Sequence, residues 1–111
     1  MSGSRELPPI GSLIEVVQGR DAGLIAVVVG HVDERFLLIA DGSVRRADRP
    51  KKKNVMHVRD LSYVAEEFAR KLVSDGRFNN AQLRYAVRKF VEERLAIAQE
   101  SAEGGAFRGE G

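Results

Sequence analysis

Residues 16–42 read VVQGRDAGLIAVVVGHVDERFLLIADG, and their punctuation decides the fold. Gly19 and Gly23 bracket a tight loop, GRDAG, where glycine permits backbone angles that other residues avoid. The run 24–32 is rich in β-branched residues and too short for a typical globular helix, so it reads as a buried strand. Asp33, Glu34 and Arg35 turn the chain, and 36–40 forms the next strand. Asp41-Gly42 is a strong hairpin signal, because primed turns need positive φ.

Upstream, 13–17 is an apolar strand interrupted by Glu15, preceded by a flexible leader that ends at Pro8 and Pro9. Downstream, 43–47 is expected as a short strand and the stretch around Pro50 as irregular, since proline cannot donate to a ladder. A last strand is expected at 55–58. At Asp60 the period changes. Leu61, Val64, Ala65, Phe68 and Leu72 recur at helical spacing, with Asp60 or Ser62 as cap and Asp75-Gly76 as stop. Asn79 or Asn80 caps a second helix, with Leu83, Ala86, Val87, Phe90, Val91 and Leu95 as its apolar stripe. The pattern predicts an α+β fold. It divides into a flexible leader (1–9), a small curled antiparallel β-barrel (10–59), a helical hairpin packed on or beside it (60–103) and a disordered tail (104–111). A barrel of about fifty residues has a marginal core alone, so barrel and hairpin are expected to fold as one unit.

The composition narrows the function classes. The chain has 111 residues and no cysteine, so disulfides and thiol chemistry are excluded. No apolar run approaches the roughly 20 residues of a membrane helix, and a soluble cytoplasmic protein is expected. Net charge is only +2, yet residues 43–59 carry seven cations against one acid, leaving −4 on the remainder. The densest part is RRADRPKKKN, residues 45–54, with six cations and one acid. Phosphates repeat along nucleic acids, and each one neutralised releases condensed counterions. Arginine can bind phosphate through two parallel hydrogen bonds, while lysine acts as a point charge. The GRDAG amides and Arg20 could meet phosphate or ribose oxygens, and Asp21 could accept from a 2′-hydroxyl, although the loop taken alone reads first as an ordinary strand-connecting turn. The loop is not a nucleotide-binding P-loop, because no Gly-Lys-Ser/Thr follows it at the required spacing.

Other candidates are weaker. Phe36, Phe68, Phe78, Phe90 and Tyr85 sit in strand or helix patterns suited to core packing, and Phe107 lies in the tail. With no tryptophan either, a base-stacking platform is poorly supported, and recognition by backbone shape and charge is expected. His31 and His57 are the only histidines; they suffice for neither a zinc site nor a catalytic constellation. His57, just after the lysines, could donate to RNA. Arg84, Arg88 and Lys89 lie near one side of the second helix, with Arg84 and Arg88 on one face; this reads either as a second RNA contact or, in preference, as a solvated face balanced by Glu92 and Glu93.

Strand-GRDAG-strand in residues 16–42 resembles the KOW motif, with Gly23 at the glycine of the loop between its first strands. The continuation ADGSVRRADRPKKKNVMHV is similar to that of bacterial KOW-domain RNA-binding proteins, relatives of certain large-subunit ribosomal proteins of archaea and eukaryotes. The resemblance covers about residues 10 to 59. It implies an SH3-like barrel and a non-catalytic, ribosome-associated protein that binds structured ribosomal RNA. It carries RNA contact onto Gly19, Arg20, Asp21 and Gly23, and onto Arg49, Lys51, Lys52, Lys53 and Asn54. With Arg45, Arg46 and His57 from the charge reading, these make up the expected interface. No cofactor, metal, membrane or small-molecule substrate is expected. KOW domains also occur in transcription factors whose partners include proteins. The alternative is therefore a protein-interaction adaptor of the transcription or translation machinery.

Overall fold

The computed structural model describes residues 6–109, and side chains up to residue 98. The chain is α+β: a five-stranded antiparallel sheet followed by two helices. The strands are β1 (Ser12–Val16), β2 (Ile25–His31), β3 (Phe36–Ala40), β4 (Lys51–Asn54) and β5 (Val58–Val64). A single 3₁₀ turn, Val55–His57, joins β4 to β5. The sheet order β4-β3-β2-β1-β5 leaves β4 and β5 at the edges. The helices are α1 (Glu66–Asp75) and α2 (Asn80–Gly109).

Strand alternation explains how so short a chain builds two apolar layers. Leu13, Val27, Val29 and Ala40 point to one face, where Phe68 of α1 and Leu83, Ala86 and Phe90 of α2 cover them. Ile14, Val16, Ala26, Val28, Leu37 and Ile39 point to the other, where Val55 and Val58 close over them. Register shifts between Val28 and Gly30 and between Ser12 and Ile14 let the sheet curl around this second layer. Each fully buried Leu, Ile or Val contributes about 1.5–3 kcal/mol over its exposed state.

Several expectations are corrected. Residues 43–47 form no strand. Asp41 Oδ1 accepts from the amides of Ser43 and Arg45, so Asp41-Gly42 opens a ten-residue connection (41–50) rather than a two-residue hairpin. The lysines lie on a strand, β4: Pro50 precedes it, and lysine is tolerated because β4 is a short edge. The expected strand at 55–58 is the 3₁₀ turn plus the start of β5, and β5 runs on to Val64, past the boundary at 59. Neither Asp60 nor Ser62 caps α1. Asp60 Oδ1 instead accepts from the Ser62 amide inside β5, and Ala65 occupies the cap position without a side-chain bond. The stop at Asp75-Gly76 holds, with the Gly76 amide donating to the Leu72 carbonyl.

At α2 the start is a reciprocal pair. The Gln82 amide donates to Asn79 Oδ1, and the Asn79 amide donates to Gln82 Oε1. Its inner stripe is buried at Leu83, Ala86 and Phe90, while Leu95 stands exposed beyond the sheet. Tyr85, expected in the core, is exposed, because it lies between the buried positions Leu83 and Ala86 on the opposite side of the helix. α2 extends to Gly109, past the hairpin end expected at 103. Residues 110 and 111 of the expected tail, and the side chain of Phe107, lie outside the described residues. Residues 1–5 of the expected leader lie outside them too. The rest of that leader is docked: Pro8 is buried, Leu7 packs on the second apolar layer, and the His31 ring Nε2 bonds the Pro8 carbonyl at 2.7 Å.

Candidate nucleic-acid interface

The bend at 19–23 leaves the end of β1 and returns into β2. Its closure is local. The Ala22 amide donates to the Gly19 carbonyl, Leu24 to Asp21, and Gly23 to Val16. Gly19 and Gly23 have φ of +95° and +96°, where a side chain would be strained. At Gly19 space is short as well, since an added Cβ would stand 3.0 Å from Lys53 Nζ.

That contact shows how the two ends of the expected interface meet. Residues separated by more than twenty positions in sequence share one rim. Arg45 Nε donates to Asp21 Oδ2 at 2.7 Å, and Lys53 Nζ reaches the Gln18 carbonyl at 3.4 Å. The hydrogen bond from Arg45 holds the Asp21 carboxyl below its ordinary value against the opposing effect of burial. The fields of Arg45, Lys53 and Lys51 act in the same direction as the bond. Asp21 is therefore a charged tether that fixes Arg45 to the bend, rather than the free acceptor expected of it. The His57 carbonyl takes the Val17 amide at 2.8 Å, which sets His57 beside the first flank of the bend.

The lysines divide by strand alternation. Lys53 pairs with Leu37 and Lys51 with Ile39, so both project on the face of the curl and toward the bend. Lys52 pairs with Leu38 and projects oppositely; its ammonium lies over the Phe36 ring, 4.6 Å from the centroid. Lys52 therefore does not share the rim. The Asn54 side-chain oxygen is engaged locally, capping the 3₁₀ turn by accepting from the Met56 amide at 2.8 Å. Arg46 and Arg49 are exposed on the connecting loop, where the Arg49 amide donates to the Arg46 carbonyl. Arg46 approaches Asp48 at 4.0 Å, and both of those side chains are largely in solvent. Among the described residues, Arg20, Arg49, Lys51 and Lys53 enter no ion pair. The rim thus holds Arg20, Arg45, Arg46, Arg49, Lys51 and Lys53, with Asp21 and Asp48 as its acids.

Asn80 and Arg84, read from the sequence as a cap candidate and a helix-face cation, have positioning roles which that reading did not assign. Asn80 Oδ1 accepts from the Ala47 amide at 2.7 Å, and an Arg84 terminal nitrogen donates to the Gly42 carbonyl at 2.9 Å. Together they pin the 41–50 connection to the start of α2. The one local signal was Asp41-Gly42, which called for positive φ, and Gly42 does have φ +86°. An added Cβ there would stand 2.5 Å from the Asn80 carbonyl oxygen, so only glycine lets loop and helix meet.

A concavity of about 520 Å³ lies between α1 and α2, away from the rim, and includes Phe68, Tyr85 and Ala86 in its wall. Glu66 and Glu67 offset Lys71 and Lys89 there, so it lacks the one-signed charge of the rim. Among the described residues no cluster of three or more His, Asp or Glu is placed to hold a metal ion, and no helix is long and apolar enough to cross a membrane. No protein-family model matches the chain, and no curated protein matches it.

Proposed function

We propose that this chain is a non-catalytic RNA-binding protein whose curled sheet is an SH3-like barrel of the KOW type, and that it grips structured ribosomal RNA at the rim. The observation that carries the reading is the convergence of the bend with Arg45, Lys51 and Lys53, which focuses several cations within about one Debye length. Such a surface suits a repeating polyanion. The double apolar layer beneath it supports rigidity, so little order is lost on binding. Among the described residues no exposed aromatic ring lies at the rim: the half-buried Phe36 ring lies under Lys52, and Tyr85 is on α2. Contact is therefore to phosphate and sugar, read through the shape of folded RNA.

The test is filter binding of the full chain to purified large-subunit ribosomal RNA over a salt series. If about five phosphates are met, log K falls against log salt with a slope of about −3.5 to −4.5. A slope near zero, or no retention at low salt, overturns the proposal. A protein partner that stays bound after nuclease and high salt, without RNA retention, would favour the adaptor reading instead.

A further inference from the structure

We infer that the RNA track does not end at the 45–49 side of the rim but continues from it onto the Arg84–Arg88 face of α2. This rests on the RNA-binding reading above. Asn80 and Arg84 hold the loop against the first turns of α2, so Arg46 and Arg49 are neighbours of that helix rather than of the bend alone. Arg88 lies one turn beyond Arg84 on the same face, at a spacing of about 5–6 Å between Cβ atoms. Both arginines are exposed.

Among the described residues, the acids expected to balance this face form no ion pair with Arg84 or Arg88. Glu93 accepts the Tyr63 hydroxyl at 2.9 Å, across the helix from Arg84. Glu92, one turn after Arg88, forms no ion pair with it among the described residues. The Arg88 guanidinium instead lies 5.9 Å from the centroid of the exposed Tyr85 ring. The first turn of α2 carries no acid, so the positive end of its dipole adds to the same field. Loop and helix therefore present a predominantly cationic strip of Arg46, Arg49, Arg84 and Arg88, with Asp48 and Glu92 as the acids on it. Its partner is a phosphate backbone long enough to run from the bend to the third turn of α2, where Arg88 lies.

Arg88→Gln is the informative change, because Arg88 has no hydrogen bond that the fold needs. Arg70→Gln is the control. It removes the same charge from α1 next to Ala69, which packs on Gly11 at the end of β1 away from the bend. With large-subunit ribosomal RNA as probe, Arg88→Gln should reduce the salt slope by about 0.7–0.9, while Arg88→Lys and Arg70→Gln leave it unchanged. Equal slopes for Arg88→Gln and the wild type would overturn the extension and leave the rim reading standing. Equal losses for Arg88→Gln and Arg70→Gln would also overturn it, by showing a net-charge effect. A wild-type chain that ignores the RNA removes both readings.

Discussion

Strand alternation in β4 makes three adjacent lysines unequal, and this is open to direct measurement. The perturbation is Lys→Gln at 51, 52 and 53, singly and as the 51/53 pair. Lys51 and Lys53 project toward the bend; Lys52 lies over Phe36 on the other face. Each lost phosphate contact removes about 0.7–0.9 from the slope of log K against log salt. The 51/53 pair should therefore lose about 1.4–1.8. Over a fourfold rise in salt, from about 50 to about 200 mM, that is a difference of about seven- to twelvefold in how far affinity falls. Lys52→Gln should leave the slope intact and instead cost about 0.5–1 kcal/mol of stability, the worth of an exposed cation–π contact. Filter binding gives the slopes, and urea unfolding gives the stability. Equal slope changes at all three positions would refute the reasoning, because diffuse charge rather than orientation would then control binding.

The tether and the loop anchor give two further outcomes. The Asp21 carboxyl is held below its ordinary value by Arg45, so its contribution to stability is full above the unfolded value of 3.8 and is lost as pH falls through the lower folded value. Asp21→Asn should lower the urea midpoint near neutral pH, with the gap to wild type closing only in strong acid; a gap that closes near pH 6 would assign it to another group. Gly42→Ala forces a side chain at φ +86° and a Cβ within 2.5 Å of the Asn80 carbonyl. A loss of at least about 1–3 kcal/mol is expected in urea unfolding, and an unchanged midpoint would show that loop and helix can separate freely.

The strand-rich first half was legible because its turn residues sit where short apolar runs stop. Gly19, Gly23 and Asp33 mark boundaries by local chemistry alone, and β2 and β3 follow from them. The lysine strand was not legible. Lys51–Asn54 has neither the β-branched residues nor the alternation that marks a strand, and it pairs only because Leu37 and Ile39 of β3 offer it a ladder. The start of α1 was misplaced because Leu61, Val64 and Ala65 fit a helical period, while β1 draws the chain up to Val64 into the sheet. At the interface, the basic residues were visible as charge, and their meeting with the bend was an inference from topology. The separate fates of Lys52, Asn54 and Asp21 depend on orientation and long-range partners. No local pattern encodes Asp21 with Arg45, or Asn80 with Ala47.

The anchors Asn80 and Arg84 follow the residues they hold, Ala47 and Gly42, by 33 and 42 positions. Synthesis proceeds from the N-terminus, so the first three strands emerge well before those anchors do. A growing chain thus displays Arg46–Arg49 on a loop held at Arg45 but not yet anchored by Asn80 and Arg84, until the opening turns of α2 leave the exit tunnel. A product truncated before residue 80 therefore carries these charges without the two bonds that hold the loop against α2.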